Sequence, residues 1–257
     1  MAHGKRIPAG RERLTDAERL ADLVRESQPC LVLTGAGIST ESGIPDFRSP
    51  TGLWRRFDPT EVGSLQAFRF DPARVWSYYA QRFEALLAAE PNEGHRALAE
   101  LQERGFVSAI VTQNIDLLHE RAGSHDVLEV HGSIRTSSCP RCDAVYPLTD
   151  VLELLPLPTC SKCGAVLKPD VVFFGELLPD GVLERAIEFA AEARLILVVG
   201  SSLEVMPVAG LPLQTMDSGG RLAIVNRGRT PLDYRATVRI DAPAGETLRA
   251  VADALDD

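Results

Sequence analysis

Residues 31–48, Leu-Val-Leu-Thr-Gly-Ala-Gly-Ile-Ser-Thr-Glu-Ser-Gly-Ile-Pro-Asp-Phe-Arg, decide the reading of the fold. The short apolar run Leu31 to Leu33 passes at once into Gly35 and Gly37, the pattern of a buried parallel strand turning into a glycine-rich phosphate loop. Ser39, Thr40 and Ser42 stand where they would cap a following helix, whose free N–H groups and positive dipole end attract an anion. The dinucleotide fingerprint G-x-G-x-x-G is incomplete, because its third glycine falls on Thr40 and the nearest later glycine is Gly43. Read alone, the stretch also suits a tight strand-to-helix turn with no ligand.

Before this stretch, Thr15 to Glu18 form a capping pattern that opens an amphipathic helix running to about Ser27, and Pro29 stops it. Residues 1–13 are polar and read as a tail that includes His3. Cys30 heads the strand without a cysteine near it in sequence, as a small core residue does. After Arg48 the text turns to turn-formers and aromatics, and a long loop is expected. From Pro72 to Ala89, Val75, Tyr79, Phe83 and Leu86 recur at helical spacing on a small helical module. A helix over Gly94 to Arg104 then leads through Gly105 into a strand over Val107 to Val111.

Residues 135–170, with four cysteines and little apolar periodicity, form a separate small module. Alternation resumes with a helix over Val182 to Ala193, strands at Leu195 to Val199 and Leu222 to Val225, an edge strand near Val238 and a terminal helix from Glu246 to Leu255. Strands separated by helices imply an α/β fold, a parallel sheet covered on both faces. Residues 14–48, 96–134 and 171–257 would build that domain, interrupted by 49–95 and 135–170.

With 257 residues and 45% hydrophobic content, the chain has material for one large domain carrying inserted modules. A net charge of −9 argues against sequence-independent nucleic-acid binding and suits basic, lysine-bearing partners. No stretch approaches the roughly 20 apolar residues of a membrane span, and the start lacks the apolar core of a signal peptide. The chain therefore reads as cytoplasmic, where paired C-x-x-C motifs are metal ligands more often than disulfides.

Cys139-x-x-Cys142 and, seventeen residues on, Cys160-x-x-Cys163 supply four thiolates for a tetrahedral zinc with no open position, hence a structural one. A redox dithiol is the competing reading, although such motifs come singly. Thr112-Gln113-Asn114-Ile115-Asp116 follows a strand, where an amide and a carboxylate can hold ribose hydroxyls or a carboxamide, or merely cap the next helix. His131 before Gly132 is a general-base candidate, although single histidines are more often structural. His95 and His119 lie in helical patterns as packing or capping residues. Gly200-Ser201-Ser202 and Asn226 also end strands, so several polar loops point at one crevice.

These residues together resemble the sirtuins, NAD-dependent protein-lysine deacylases. The resemblance runs from about residue 15 to the end and rests on Gly-Ala-Gly-Ile-Ser at 35–39, Ser-Gly-Ile-Pro-Asp-Phe-Arg at 42–48 and Thr-Gln-Asn-Ile-Asp at 112–116. His-Gly at 131–132, the four cysteines, Lys-Pro-Asp-Val-Val-Phe-Phe-Gly-Glu at 168–176 and Gly-Ser-Ser-Leu at 200–203 complete it. It implies a Rossmann-like domain with an inserted zinc module and helical module, the substrate and NAD meeting between the lobes. Gly35, Ala36, Gly37, Ser39, Asp46, Phe47 and Arg48 would surround the NAD phosphates and nicotinamide end. Gln113, Asn114, Ile115 and Asp116 would take the ribose and carboxamide, and Gly200, Ser201, Ser202, Asn226 and Ala244 the adenosine half. Asn114 and His131 would be catalytic, His131 as general base.

The acyl-lysine peptide would lie as an added strand between Val172, Phe173, Phe174, Gly175 and Glu176 on one side and Leu203 to Pro207, Val205 among them, on the other. In the implied reaction nicotinamide leaves, the acyl oxygen attacks the ribose C1′, and His131 deprotonates a ribose hydroxyl that captures the acyl carbon, giving free lysine and O-acyl-ADP-ribose. Protein ADP-ribosyl transfer and non-catalytic NAD sensing are the rival readings, and a monomer is expected. Tyr79 and Arg82, three positions apart on the inward face of one helix, read from periodicity alone as a core aromatic and an arginine that reaches solvent or pairs with a carboxylate such as Glu84 or Glu90. At this spacing they also resemble the Y-x-x-R pair lining the acyl pocket of members that prefer succinyl- or malonyl-lysine, with deacetylation still open as the main activity.

Overall fold

A computed structural model describes residues 14–256, so the expectations for residues 1–13 lie outside the described residues. Its main sheet has six parallel strands: β1 (Cys30–Thr34), β2 (Ala109–Thr112), β3 (Val127–Glu129), then β7 (Leu195–Val199), β8 (Arg221–Val225) and β9 (Val238–Ile240). The spatial order is β3-β2-β1-β7-β8-β9. β4 (Gly132–Ser138), β5 (Val145–Pro147) and β6 (Lys168–Val171) form a separate antiparallel sheet in the order β5-β4-β6.

All five residues of β1 are buried, which is why it reads as an unbroken apolar run rather than an alternation. Cys30 and Val32 pack in one core layer with α1 (Asp16–Glu26), α5 (Glu93–Glu103) and α10 (Ala244–Ala254). Leu31 and Leu33 pack in the other with α8 (Val182–Glu192) and α9 (Leu211–Asp217). Burial pushes the Cys30 thiol up to about 12, so it packs as an inert apolar group. The predicted capping box closes α1: the Thr15 hydroxyl accepts from the Glu18 amide at 3.2 Å, and the Thr15 amide donates to the Glu18 carboxylate at 2.6 Å.

The stretch after Arg48 differs from the expected long loop. It holds a 3₁₀ turn at Leu53–Arg55 and the short helices α2 (Pro59–Val62) and α3 (Leu65–Phe70), before α4 (Pro72–Ala88). Single capping residues start the short helices: Asp58 accepts from the Thr60 amide at 2.8 Å, and Ser64 from the Ala67 amide at 3.0 Å.

Val75, Trp76, Tyr79, Phe83 and Leu86 of α4 share one core with Ile134, Val151 of α7 (Leu148–Glu153), Leu167 and Phe173. The Trp76 indole N–H donates to the Leu167 carbonyl at 2.7 Å, and α6 (Leu118–Arg121) adds Leu118. The two chain insertions are therefore packed as one body. No helix among the described residues is long and apolar enough to cross a membrane.

Candidate active site

The carboxyl ends of β1, β2, β7 and β8 open on one side of the sheet, at the place where the order runs one way from β1 to β2 and the other way to β7. That is where open parallel sheets hold ligands. A cleft of about 1230 Å³ lies there, bounded by these loops, by residues 44–54 and by residues 171–180. Gly35, Ala36, Gly37 and Ser39 line it, as do Asp46, Phe47 and Arg48. Gln113, Asn114, Ile115 and Asp116 line it from β2, Gly200, Ser201 and Ser202 from β7, Asn226 from β8, and Ala244 from the start of α10.

The loop after β1 is not followed by the capped α-helix its sequence suggested. Residues 36–42 form a 3₁₀ turn whose N-terminus has no side-chain cap. Ser39 instead donates to Asp116 at 2.7 Å, and Thr40 donates back to the Gly37 carbonyl at 2.9 Å. The Ser39 hydroxyl is drawn to a buried carboxylate that has few other donors, and that interaction outweighs an exposed cap. Asn114 then completes a network, its side-chain amide donating to Ser39 at 3.1 Å and to the Gly35 carbonyl at 3.2 Å. Burial raises the Asp116 carboxyl above its usual range, partly offset by Ser39 and by the Leu118 amide. The two strand-end loops are thus locked to each other from beneath.

His131 lines the cleft beyond Val130, with its Nδ1 at 3.1 Å from the Gln113 carbonyl. A carbonyl only accepts, so Nδ1 carries the hydrogen and Nε2 is the basic nitrogen. Burial holds the imidazole below its ordinary pKa, so that nitrogen is unprotonated at neutral pH. Gln113 turns its own side-chain amide to Ser201 at 2.8 Å, joining the β2 and β7 loops.

Under this floor lie His95 and His119, both buried, with ring centroids 5.0 Å apart. His95 Nδ1 accepts from the Asn92 amide at 3.3 Å, and His119 Nε2 sits 2.9 Å from the Thr34 hydroxyl. Thr34 donates onward to Thr112 at 2.8 Å, whose oxygen also accepts the Asn114 amide at 3.1 Å. Thr34 therefore accepts from His119 Nε2–H, leaving His119 Nδ1 a bare acceptor and His95 Nε2–H a bare donor. Neither has a partner among the described residues. Burial pushes the two pKa values down to about 3 and about 4 respectively. As packing and capping residues they answer the sequence reading, but their pairing joins positions that sequence spacing does not relate.

Tyr79 and Arg82 both line the cleft from α4. The Tyr79 ring lies on Phe173, centroids 5.4 Å apart, and burial raises its phenol pKa. Arg82 is held between aromatic faces, its guanidinium 5.1 Å from the Phe47 centroid and 5.6 Å from that of Tyr78. No carboxylate pairs with it among the described residues, and Glu90, a partner the sequence offered, binds Arg121 instead.

Val172, Phe173, Phe174, Gly175, Glu176 and Val205 line the cleft, but Leu203 does not. At φ 55° the backbone turns the Leu203 side chain down into the core beside α8 and α9, while its amide binds Ser201 at 3.3 Å. Its neighbour Glu204 lines the cleft in its place and pairs with Arg48 at 2.7 Å across the mouth. Trp54, set at an angle between Phe47 and Phe174 with centroids 5.1 and 5.6 Å away, also joins the lining. Sequence reading missed both, and the only signal for Trp54 was the aromatic cluster after Arg48.

The four cysteines stand apart from the cleft lining on two matching turns. The Cys139 carbonyl accepts from the Asp143 amide at 3.0 Å, and the Cys160 carbonyl from the Gly164 amide at 2.8 Å. The sulfurs of Cys139, Cys142, Cys160 and Cys163 lie within 4.8 Å of one another, with Cys139–Cys163 at 3.4 Å and Cys142–Cys160 at 3.6 Å. Zn–S bonds of about 2.3 Å require S···S edges of about 3.8 Å in a tetrahedron. All four are free thiols rather than disulfides, and the set fits a structural zinc.

The Sir2 family model matches residues 35–207. The chain is 44% identical to NAD-dependent protein deacylase 1 of Archaeoglobus fulgidus, over 90% of this chain and 94% of that protein. It is 43% identical to the NAD-dependent protein deacetylase of Thermotoga maritima, with the same coverage of both chains. A solved Sir2 structure with a p53 peptide and NAD+ superposes at a TM-score of 0.85, with 41% identity, covering 91% of this chain and 96% of that one. Another, of a Sir2 variant with deacetylated p53 peptide and acetyl ADP-ribose, superposes at 0.89, with 42% identity over 92% and 97%. With the strand-end loops, the cysteine cluster and this similarity in agreement along nearly the whole chain, the protein belongs to the Sir2 (sirtuin) family.

Proposed function

We propose that the chain is an NAD-dependent protein-lysine deacylase that releases nicotinamide and O-acyl-ADP-ribose. The observation that carries the reading is His131: a neutral imidazole whose Nε2 is basic and unbonded among the described residues, in a cleft whose other walls are phosphate- and ribose-sized polar loops. The cleft volume exceeds the about 300–1,000 Å³ of a single-ligand pocket, leaving room for a dinucleotide beside a second substrate. Gly35 to Gly37 and Ser201 would hold the diphosphate and adenosine portions, and Asn114, fixed by Gly35 and Ser39, the ribose next to the reacting centre. When bound, NAD supplies an ADP-ribosyl electrophile for the acyl oxygen. His131 Nε2 then takes a proton from a ribose hydroxyl, and the Gln113 carbonyl holds the ring as it becomes charged.

Acyl preference follows from Arg82, which lines the cleft with aromatic neighbours and no carboxylate partner among the described residues. A cation in that state suits an acyl chain ending in a carboxylate, so succinyl- or malonyl-lysine is the preferred substrate and Tyr79 the second polar group of the pocket. A charge-assisted contact of about 1.5–3 kcal/mol corresponds to one to two powers of ten in kcat/KM at about 1.4 kcal/mol per tenfold. The test is a panel of acetyl-, malonyl- and succinyl-lysine peptides with NAD, read by mass spectrometry for free lysine and O-acyl-ADP-ribose. Arg82→Met should lose succinyl activity by that factor and keep acetyl activity. Equal loss on both refutes the acyl assignment, whereas ADP-ribosylated protein or unconsumed NAD refutes the deacylase reading.

A further inference from the structure

Beside the cleft, the side chain of Lys168 is largely enclosed and makes an unusual number of contacts for a lysine. Its ammonium donates to the Pro169 and Val171 carbonyls, each at 2.9 Å, pairs with the Glu176 carboxylate at 2.9 Å, and stands 4.3 Å from the Phe173 ring centroid. Lys168 and Glu176 are only 17% and 20% exposed at the side chain, so solvent screens the pair weakly. The same Glu176 carboxylate accepts from the Phe173 amide at 2.8 Å, and the Glu176 amide donates to the Phe173 carbonyl at 3.0 Å. Residues 173–176 are thus a turn closed at both ends, and Lys168 neutralises the carboxylate that closes it.

The turn matters because of what it leaves free. One edge of the segment is occupied: Val172 donates to His131, Phe174 donates to Gly63, and Leu65 donates to Phe174. The amides of Gly175 and Leu177 have no partner among the described residues, and Leu177 is 91% exposed. Gly175 and Leu177 line the cleft, as do Glu204 and Val205. We propose that Lys168 is a positioning residue that fixes the Phe173–Glu176 turn and so presents the free backbone edge of residues 175–177 to the substrate main chain. Strand addition depends on main-chain groups held in register, and a pre-ordered edge spares the ordering cost at binding. The proposal rests on the deacylase reading for the identity of the peptide, but the hold of Lys168 on the turn is a property of the ligand-free protein.

Two measurements separate these. Hydrogen exchange on the ligand-free protein should show faster exchange at residues 172–177 in Lys168→Met, with Lys168→Arg close to wild type. Steady-state kinetics at saturating NAD should show the peptide KM rising about tenfold in Lys168→Met, with kcat and the KM for NAD within about twofold, and Lys168→Arg restoring the peptide KM. Glu176→Gln, which keeps the turn hydrogen bond but not the charge, should give the same split in smaller measure and serves if Lys168→Met does not fold. Unchanged exchange overturns the proposal, as does a loss shared equally by kcat and both KM values. A wild-type protein that turns over no acyl peptide sinks the deacylase reading and leaves the exchange result to decide the role of Lys168.

Discussion

Acidification should weaken this protein through the buried histidine pair. An unfolded histidine titrates near 6.5, whereas burial holds His95 at about 4 and His119 at about 3 in the folded chain. The geometry agrees with that direction. A proton on His119 Nδ1 would put a charge in a buried site whose new N–H has no acceptor among the described residues, with the His95 ring centroid 5.0 Å away. Both folded values are depressed, so the unfolded state binds more protons between them and 6.5. The stabilisation is complete above that range and is lost as pH falls through it. At about pH 5 each histidine costs about 2 kcal/mol relative to pH 7.5, at about 1.36 kcal/mol per unit, and the pair about 4 kcal/mol. That is a large share of the about 5–15 kcal/mol by which domains are stable.

Urea unfolding at a series of pH values measures this directly. In His119→Asn, stability at pH 7.5 should fall by about 1–3 kcal/mol for the broken buried hydrogen bonds. The further loss between pH 7.5 and 5 should shrink to about 2 kcal/mol, because only His95 remains to titrate. Comparing slopes cancels contributions shared by both proteins, including the cysteine cluster and the buried Asp116 and Glu129, whose raised pKa values act in the opposite sense. A slope unchanged by the substitution refutes the reasoning.

The cysteine cluster should bind one equivalent of zinc, and Cys160→Ser should lose the metal and lower the thermal midpoint; elemental analysis showing soluble, active protein without metal would contradict it. His131→Ala should lower kcat/KM by about a hundredfold or more without changing the far-ultraviolet circular dichroism, and full turnover would remove the base assignment. In the wild type, the acid limb of kcat/KM should fall below the usual histidine range, because burial lowers the His131 pKa; a limb above about 6.5 would contradict the neutral imidazole.

What the sequence made legible was whatever is written in consecutive residues. The β1 run is continuous because both of its faces are buried, and the cysteine turns carry their own spacing. Features set by distant partners were not legible. Ser39 looks like a cap until Asp116, seventy-seven positions away, supplies a better acceptor. Leu203 sits in a loop beside the cleft, but one residue at positive φ sends its side chain to the core and gives the lining to Glu204. The short helices α2 and α3 escaped because they are shorter than the window over which periodicity is readable; Asp58 and Ser64 were their only signals. The common core of the two insertions likewise depends on contacts such as Trp76 to Leu167 that span ninety-one positions.

The incomplete glycine fingerprint has its explanation in the same geometry. In a dinucleotide fold with three glycines in one loop, the third permits a helix to pack closely on its strand. Here no α-helix follows the loop, so position 40 is free to be threonine, and close packing is required between loops instead. A Cβ on Gly37 would lie 2.7 Å from Gly200 Cα, and one on Gly200 would lie 2.3 Å from the Ile38 amide nitrogen. The Gly37 amide donates to the Gly200 carbonyl at 2.8 Å, which bolts the β1 loop to the β7 loop at the switch point of the sheet. The glycines that a simple fingerprint concentrates after one strand are divided here between two. The floor on which a diphosphate would rest is therefore a joint between strands β1 and β7, and the Asn114–Ser39–Asp116 network ties β2 into the same joint. Any side chain at position 37 or 200 would part the loops and unseat Asn114 along with the diphosphate floor.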